Sequence, residues 1–238
     1  MFRVELFRIL KNPINVFFLI VWPVVLLILF GELSGSRLVG QQFLALLLLP
    51  ALTITIMTFG LNFASDKVEK RIKHYLVVKG AIKKYVITSL LVNTLIFEFL
   101  ICLLIIIGVS AYGVEFTTAN FAIYIFMPQF AFIIGFFISL IIGEYVTSFT
   151  YAAPLASLVF FFILISSGMT FPFALAWRNT DFMLEYLTPY GCMVILHHHI
   201  SGDRILTDFQ LGLTIALLLI YTSLIISFAI FSLKRLKK

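Results

Sequence analysis

Charge is what this sequence has least of. Only 12% of its 238 residues are Asp, Glu, Lys or Arg, while 62% are hydrophobic. A water-soluble domain of this length carries about twice that charged fraction, so a soluble globular fold is excluded. Cysteine is equally sparse: Cys102 and Cys192 stand alone, with no spacing that suggests a disulfide framework or a thiolate metal site. No G-x-x-x-x-G-K-S/T phosphate loop occurs, which excludes ATP hydrolysis built on such a loop in this chain. H-E-x-x-H, G-x-S-x-G and a pair of intramembrane aspartates are missing too, which removes the usual signatures of an intramembrane enzyme. No segment between the apolar runs is long enough to fold as a soluble domain, and no internal repeat or low-complexity linker is present.

What the sequence has instead is length of apolar run. Six stretches, 14–31, 43–64, 85–110, 121–143, 151–169 and 210–231, each approach the ~20 residues that an α-helix needs to cross a ~30 Å hydrocarbon core. They predict one all-α, polytopic membrane domain over 1–238 with six transmembrane helices. Six crossings put both termini on one face. Of 17 Lys and Arg, all fall on that face except Arg37, Arg178 and Arg204. Those on it are Arg3, Arg8, Lys11, Lys67, Lys70, Arg71, Lys73, Lys79, Lys83, Lys84, Lys234, Arg235, Lys237 and Lys238. The positive-inside rule makes that face cytoplasmic. Glu32, Glu115, Asp181, Glu185, Asp203 and Asp208 lean the other way. The net charge of +6 is thus a topology signal and gives no support for nucleic-acid binding. No clear small-residue cleavage site follows Gly31-Glu32, so the first apolar run is expected to be retained as a span.

Three segments lie outside the spans. In 1–12, Phe2, Leu6, Ile9 and Leu10 recur at helical spacing between Arg3, Glu5, Arg8 and Lys11, which predicts an interfacial amphipathic helix ended by Asn12-Pro13. In 65–84, Ser65 reads as an N-cap and Gly80 as the residue past the helix end. Asp66 and Glu69 fall in the first turn, and Val68, Ile72, Tyr75 and Leu76 form an apolar stripe. That pattern suits either a docking helix or simple basic anchoring under the membrane. The segment 171–209 is too polar to span, yet holds Phe171, Phe173, Trp177, Phe182, Tyr186 and Tyr190. It is expected to re-enter the outer leaflet as short helices before the last span. Pro23, Pro50, Pro128 and Pro154 lie inside spans and predict kinks.

This order of elements resembles the permease subunit of an ABC-2-type ATP-binding-cassette exporter. Glu5-Leu6-Phe7-Arg8 through Asn12-Pro13 is similar to that family's basic E-x-x-R-x-x-x-N-P start. Val21-Trp22-Pro23 through Phe30-Gly31 resembles its proline-containing first span. Phe63-Ala64-Ser65-Asp66-Lys67-Val68-Glu69 through Ser89-Leu90-Leu91 resembles its coupling-helix loop, and Thr188-Pro189-Tyr190 its turn before the final span. Lys70-Arg71 stand where Gly-Thr is common in the family, and Gly80-Ala81 where a Pro is usual. The resemblance implies a plasma-membrane permease with both termini cytoplasmic. It would pair with a second permease, identical or different, and dock a separate cytoplasmic ATPase that holds ATP and Mg. Val68, Glu69, Lys70, Arg71, Ile72, Tyr75 and Leu76 would face the ATPase, with Phe2, Leu6, Arg8 and Ile9 of the N-terminal helix as a brace. No cofactor or metal is expected on this chain, and it is not expected to be an enzyme by itself.

Single residues add less. Glu98 is the one formal charge deep in a span, so it must face protein or water, as a cavity group or as a hydrogen bond to Asn93, Thr94 or Gln129. Gln129, beside Pro128, reads as a cavity residue or as a partner for backbone freed by the proline. His197-His198-His199 cannot converge on one ion from a helix, because neighbours point ~100° apart. The apolar, aromatic composition favours an amphipathic or lipophilic cargo, such as an antimicrobial or toxin-like peptide or a drug. A polysaccharide or lipid-linked cargo, or a stand-alone secondary transporter using Glu98, are the alternatives.

Overall fold

The computed structural model describes residues 2–11, 13–33, 40–71, 81–114, 118–146, 148–169, 185–200 and 206–235. Among these residues all regular structure is helical, with no strand. Helix α1 spans Phe2–Lys11, α2 Pro13–Val16 and α3 Trp22–Leu33, with a π-helical stretch Phe17–Val21 between the last two. Then come α4 (Gly40–Leu52), a π-helical stretch Thr53–Gly60, and α5 (Leu61–Val68). They are followed by α6 (Ala81–Tyr112), α7 (Thr118–Tyr145), α8 (Phe149–Ser166), α9 (Pro189–Ile200) and α10 (Asp208–Arg235).

Among the described residues, four helical runs are long and apolar enough to cross a membrane: Phe43–Val68, Ile82–Tyr112, Phe121–Tyr145 and Asp208–Lys234. Leu19–Leu33 and Thr150–Ser166 are apolar but shorter. Burial ranks the runs. The most apolar window of Phe43–Val68 is 83% buried, that of Asp208–Lys234 only 11%. The second apolar run is therefore the core of the bundle and the last one its periphery.

Helix ends carry the hydrogen-bonding groups that the helices themselves leave unpaired. At the start of α10, Thr207 Oγ1 accepts from the Gln210 N–H at 3.3 Å and Gln210 Oε1 accepts from the Thr207 N–H at 3.1 Å, a reciprocal capping box. At α9, Thr188 Oγ1 accepts from the Gly191 N–H at 3.2 Å, and Pro189 takes the first helical position, where no N–H is needed. Gly191 is also required for space, because a Cβ there would collide with the Glu185 carbonyl.

The prolines divide into two kinds. Pro50 lacks the N–H that would bond one turn back, and the ladder beyond it widens into the π stretch Thr53–Gly60. Hydroxyls donate to backbone carbonyls along this part of the run. Thr53 donates to the Leu49 carbonyl at 2.8 Å and Thr55 to the Ala51 carbonyl at 2.5 Å. Ser139 of α7 donates to the Thr55 carbonyl at 2.6 Å. Pro23 follows the π stretch Phe17–Val21 after one residue, Trp22. Pro128 and Pro154, by contrast, lie within α7 and α8, which continue through them.

Close helix approach rests on small residues, as it does where lipid supplies no hydrophobic drive between helices. Gly135, Ser139 and Gly143 recur at every fourth residue of α7 and face the core run. A Cβ on Gly135 would strike Thr55 and the Tyr190 hydroxyl, and one on Gly143 would strike the Phe63 ring. Gly108 likewise receives Phe43, and Gly31 receives Tyr112. Phenylalanine thus serves two ends: Phe43, Phe59, Phe63, Phe97 and Phe132 are buried, while Phe126, Phe161, Phe162 and Phe231 are exposed. Overpacking a tight contact costs about 1–3 kcal/mol. Gly135→Ala should therefore lower the thermal midpoint of the detergent-solubilised chain. Gly212→Ala, where nothing lies within 4 Å, should leave it unchanged or raise it through helix propensity of up to ~1 kcal/mol. A Gly135→Ala protein as stable as the parent would contradict the described packing of α7 on the π stretch.

Candidate functional site

The densest polar assembly lies where α1 meets the ends of the second and third apolar runs. Asp66 is its centre. It sits on the last turns of α5, almost fully buried. Arg8 of α1 donates to Asp66 Oδ2 at 2.7 Å and to Glu5 Oε1 at 3.1 Å. The Tyr85 hydroxyl of α6 donates to Asp66 Oδ2 at 2.6 Å, and the Ser89 hydroxyl donates to Glu5 Oε1 at 2.9 Å. Arg71 stands 3.5 Å from Asp66 Oδ1 and 2.5 Å from Glu69 Oε2. Lys67 donates to the Glu144 carbonyl and lies 3.4 Å from its carboxylate, joining α5 to the end of α7. The guanidinium thus ties α1 to α5 through Asp66, and its other carboxylate partner, Glu5 of the same helix, ties α1 to α6 through Ser89.

Burial of these charges is tolerated because each is paired. Burial itself works to lower the Arg8 pKa, but the hydrogen bond to Asp66 and the charges of Glu5 and Asp66 outweigh it, and the net direction is up. A raised basic pKa contributes stability that is present below the unfolded value and lost only as pH climbs through the folded one. For an arginine that loss falls above any pH at which bilayers are handled, so Arg8 remains a fixed cation.

The structure rearranges several expectations. Ser65 is not an N-cap: the second apolar run continues as α5 through Val68, and Ser65 lies inside it, its hydroxyl donating to Glu69 Oε1 at 2.9 Å. The helix stops instead at Glu69 and Lys70, where Lys70 takes a left-handed φ of 60°. The reason is that the buried Asp66 carries the chain inward for one more turn than hydropathy suggests. Val68 packs against the core, whereas Glu69, Lys70 and Arg71 are exposed. Ile72, Tyr75 and Leu76, with the rest of 72–80, lie outside the described residues, as does 170–184 of the expected outer segment.

Helix α1 is amphipathic, but its faces are not those of a simple interfacial helix. Ile9 and Glu5 are buried, and Leu6 packs against the core. Phe2, Phe7 and Leu10 are exposed beside Arg3 and Lys11. The ion pair with Asp66 selects this rotation over the one that would sink Phe2 and Leu10.

Glu98 and Gln129 are both half-buried, and among the described residues neither has a hydrogen-bond or ion-pair partner. Asn93 does not turn to Glu98; its side-chain N–H donates to the Ser89 carbonyl at 2.7 Å, and its Oδ1 is buried without a partner. Among the described residues no three His, Cys, Asp or Glu side chains converge as a metal site. His199 Nδ1 accepts from the Leu206 N–H at 3.2 Å, and His197 is buried near Tyr124.

Sequence reasoning overlooked Glu5, Asp66, Lys67, Tyr85, Ser89, Asn93 and Glu144 as site residues. A signal existed: Tyr85, Ser89 and Asn93 recur at four-residue spacing along one face of an otherwise apolar helix, and Asp66 and Glu144 each end an apolar run. The chain matches no family model, no curated protein and no solved structure.

Breaking the clamp should be costly. Asp66→Asn leaves the half-buried Arg8 guanidinium with Glu5 as its one carboxylate partner in the cluster, at about 2–3 kcal/mol. Arg8→Gln and Asp66→Asn combined should be less damaging than the two effects added, with a coupling of ~1–3 kcal/mol in thermal unfolding of the solubilised chain. Strict additivity would mean that the contact carries no energy of its own.

Proposed function

We propose that this chain is the permease subunit of an ATP-driven exporter of the ABC-2 type. In that reading it crosses the plasma membrane six times, with both termini cytoplasmic. The short apolar helices of residues 19–33 and 150–166 complete the four long ones, since the helical run 13–33 and the 18-residue α8 each come near ~30 Å at 1.5 Å per residue. The outer segment would then re-enter the membrane before the last span.

The observation that carries the proposal is the Arg8–Asp66 clamp. It fixes the N-terminal helix to the cytoplasmic end of the most buried span. Force applied at the exposed Glu69-Lys70-Arg71 shoulder would therefore reach the core of the bundle as a rigid-body motion, not as a loop displacement. Such a link is what a permease driven by a separate ATPase requires. ATP and Mg would be held by that partner, and a second permease, identical or different, would complete the path. Amphipathic peptide or drug is the favoured cargo class, with polysaccharide or lipid-linked cargo next.

A second reading rests on Glu98, whose lack of a partner among the described residues leaves a carboxylate free to serve a stand-alone secondary transporter. Reconstitution separates the two. The purified chain without an ATPase should show no transport, and transport under an ion gradient alone would favour the second reading. In the complete system, Lys70→Glu with Arg71→Glu should weaken ATPase co-purification severalfold while membrane insertion is retained. Normal binding and stimulation by this pair would remove the shoulder as the docking element. For topology, Lys70→Cys should resist a membrane-impermeant maleimide in intact cells and react after permeabilisation, whereas Asn179→Cys should react from outside. Outside labelling at position 70 would overturn the orientation.

A further inference from the structure

We propose that the outward face of α1 is a binding site for anionic phospholipid headgroups. The clamp turns the only carboxylate of α1, Glu5, inward. What remains outward is apolar and cationic: Phe2 is 42%, Phe7 46% and Leu10 43% exposed. Phe7 lies between two cations, the Arg3 guanidinium 5.6 Å and the Lys11 ammonium 5.7 Å from its ring centroid. The ring orders both cations and leaves their N–H groups open to a phosphodiester.

Two further observations point to lipid as the occupant. Lys83 and Lys84 are exposed on the first turn of α6, the helix against which α1 packs. Four exposed cations thus lie on two packed elements, α1 and the first turn of α6, and neither element exposes a carboxylate there. Along the chain, α1 leads through the short α2 to exposed Phe17 and Trp22, whose rings lie 6.4 Å apart at the start of the first apolar run. Cations at headgroup level, with aromatic and aliphatic side chains leading into an apolar helix, match the chemistry of an anionic leaflet surface. An acidic protein surface would match the cations but not the continuity with the first apolar run. The inference does not depend on the ATPase and goes beyond the transport reading.

The test is a titration of the purified full-length chain in neutral detergent with phosphatidylglycerol or phosphatidylcholine, with bound lipids counted by native mass spectrometry. The parent should prefer phosphatidylglycerol, and the preference should fall with added salt. Removing both cations, as Arg3→Gln with Lys11→Gln, should lower the preference roughly 30-fold at low ionic strength, at roughly fivefold per cation. The charge-conserving pair Arg3→Lys with Lys11→Arg should keep it. Equal binding of the two lipids by the parent, a preference that salt does not touch, or an undiminished preference in the double glutamine variant overturns the proposal. So does a double variant that loses ATPase co-purification while keeping the lipid preference, because the face would then belong to a protein partner. Should the glutamine variant fail to fold, the salt titration of the parent decides alone.

Discussion

A buried carboxylate cannot stand without a counter-charge, and Asp66 makes that rule organise one end of this molecule. The residue lies on the most enclosed helix of the bundle, within the apolar mass. Arg71, just past the end of the same run, stands 3.5 Å from one of its oxygens, and Arg8 bonds the other at 2.7 Å. The Arg8 contact fixes which side of α1 faces inward, with Glu5 on Ser89 and Tyr85 in the same cluster. The N-terminal helix thereby becomes part of the bundle and is not merely floating on the bilayer. Its exposed side, rich in aromatic and basic groups, follows from the same contact.

The opposite demand, that backbone groups be satisfied where no water is at hand, governs the middle of the bundle. Around the π stretch after Pro50, threonine hydroxyls and Ser139 give the carbonyls of Leu49, Ala51 and Thr55 side-chain donors from within the bundle. The same serine sits between Gly135 and Gly143 on the strip where α7 approaches most closely. Packing and hydrogen bonding are therefore solved by one row of small residues. A larger side chain there would disturb both.

How much of this could be read from sequence divides along physical lines. Long apolar runs announce themselves because crossing hydrocarbon sets their length, so the helical class and the places of the four long runs follow from hydropathy. Helix α1 was legible by its period, but its rotation was not, since Phe2 and Leu10 outvote Glu5 and Arg8 in any hydrophobicity count. Only the remote Asp66 reverses that choice. Ser65 misled for a related reason: a hydroxyl before an acidic turn resembles a cap, and hydropathy ends the preceding apolar run at 64, although the helix continues through Val68. The Glu5–Ser89 and Arg8–Asp66 pairs join residues far apart in the chain, and a single sequence carries no trace of such pairings. Glu98 stood out by its depth, but its neighbours could not be assigned, and Asn93 serves the clamp's side of α6.

The π stretch Thr53–Gly60 has a consequence for helix phase. Each residue added to an α-helix advances its azimuth by about 100° and its height by ~1.5 Å, and a π turn absorbs one such residue locally. The stretch lies between the residues that seat the core run, around Phe43, and the turn that carries Asp66. It therefore sets the angle at which Asp66 meets Arg8. Were the stretch to relax into regular α-helix, the turns beyond it would screw round by roughly that same angle and carry Asp66 away from the guanidinium. The core run is in this sense a shaft with an adjustable collar: its two ends can keep their own partners only while the wide turn holds its place.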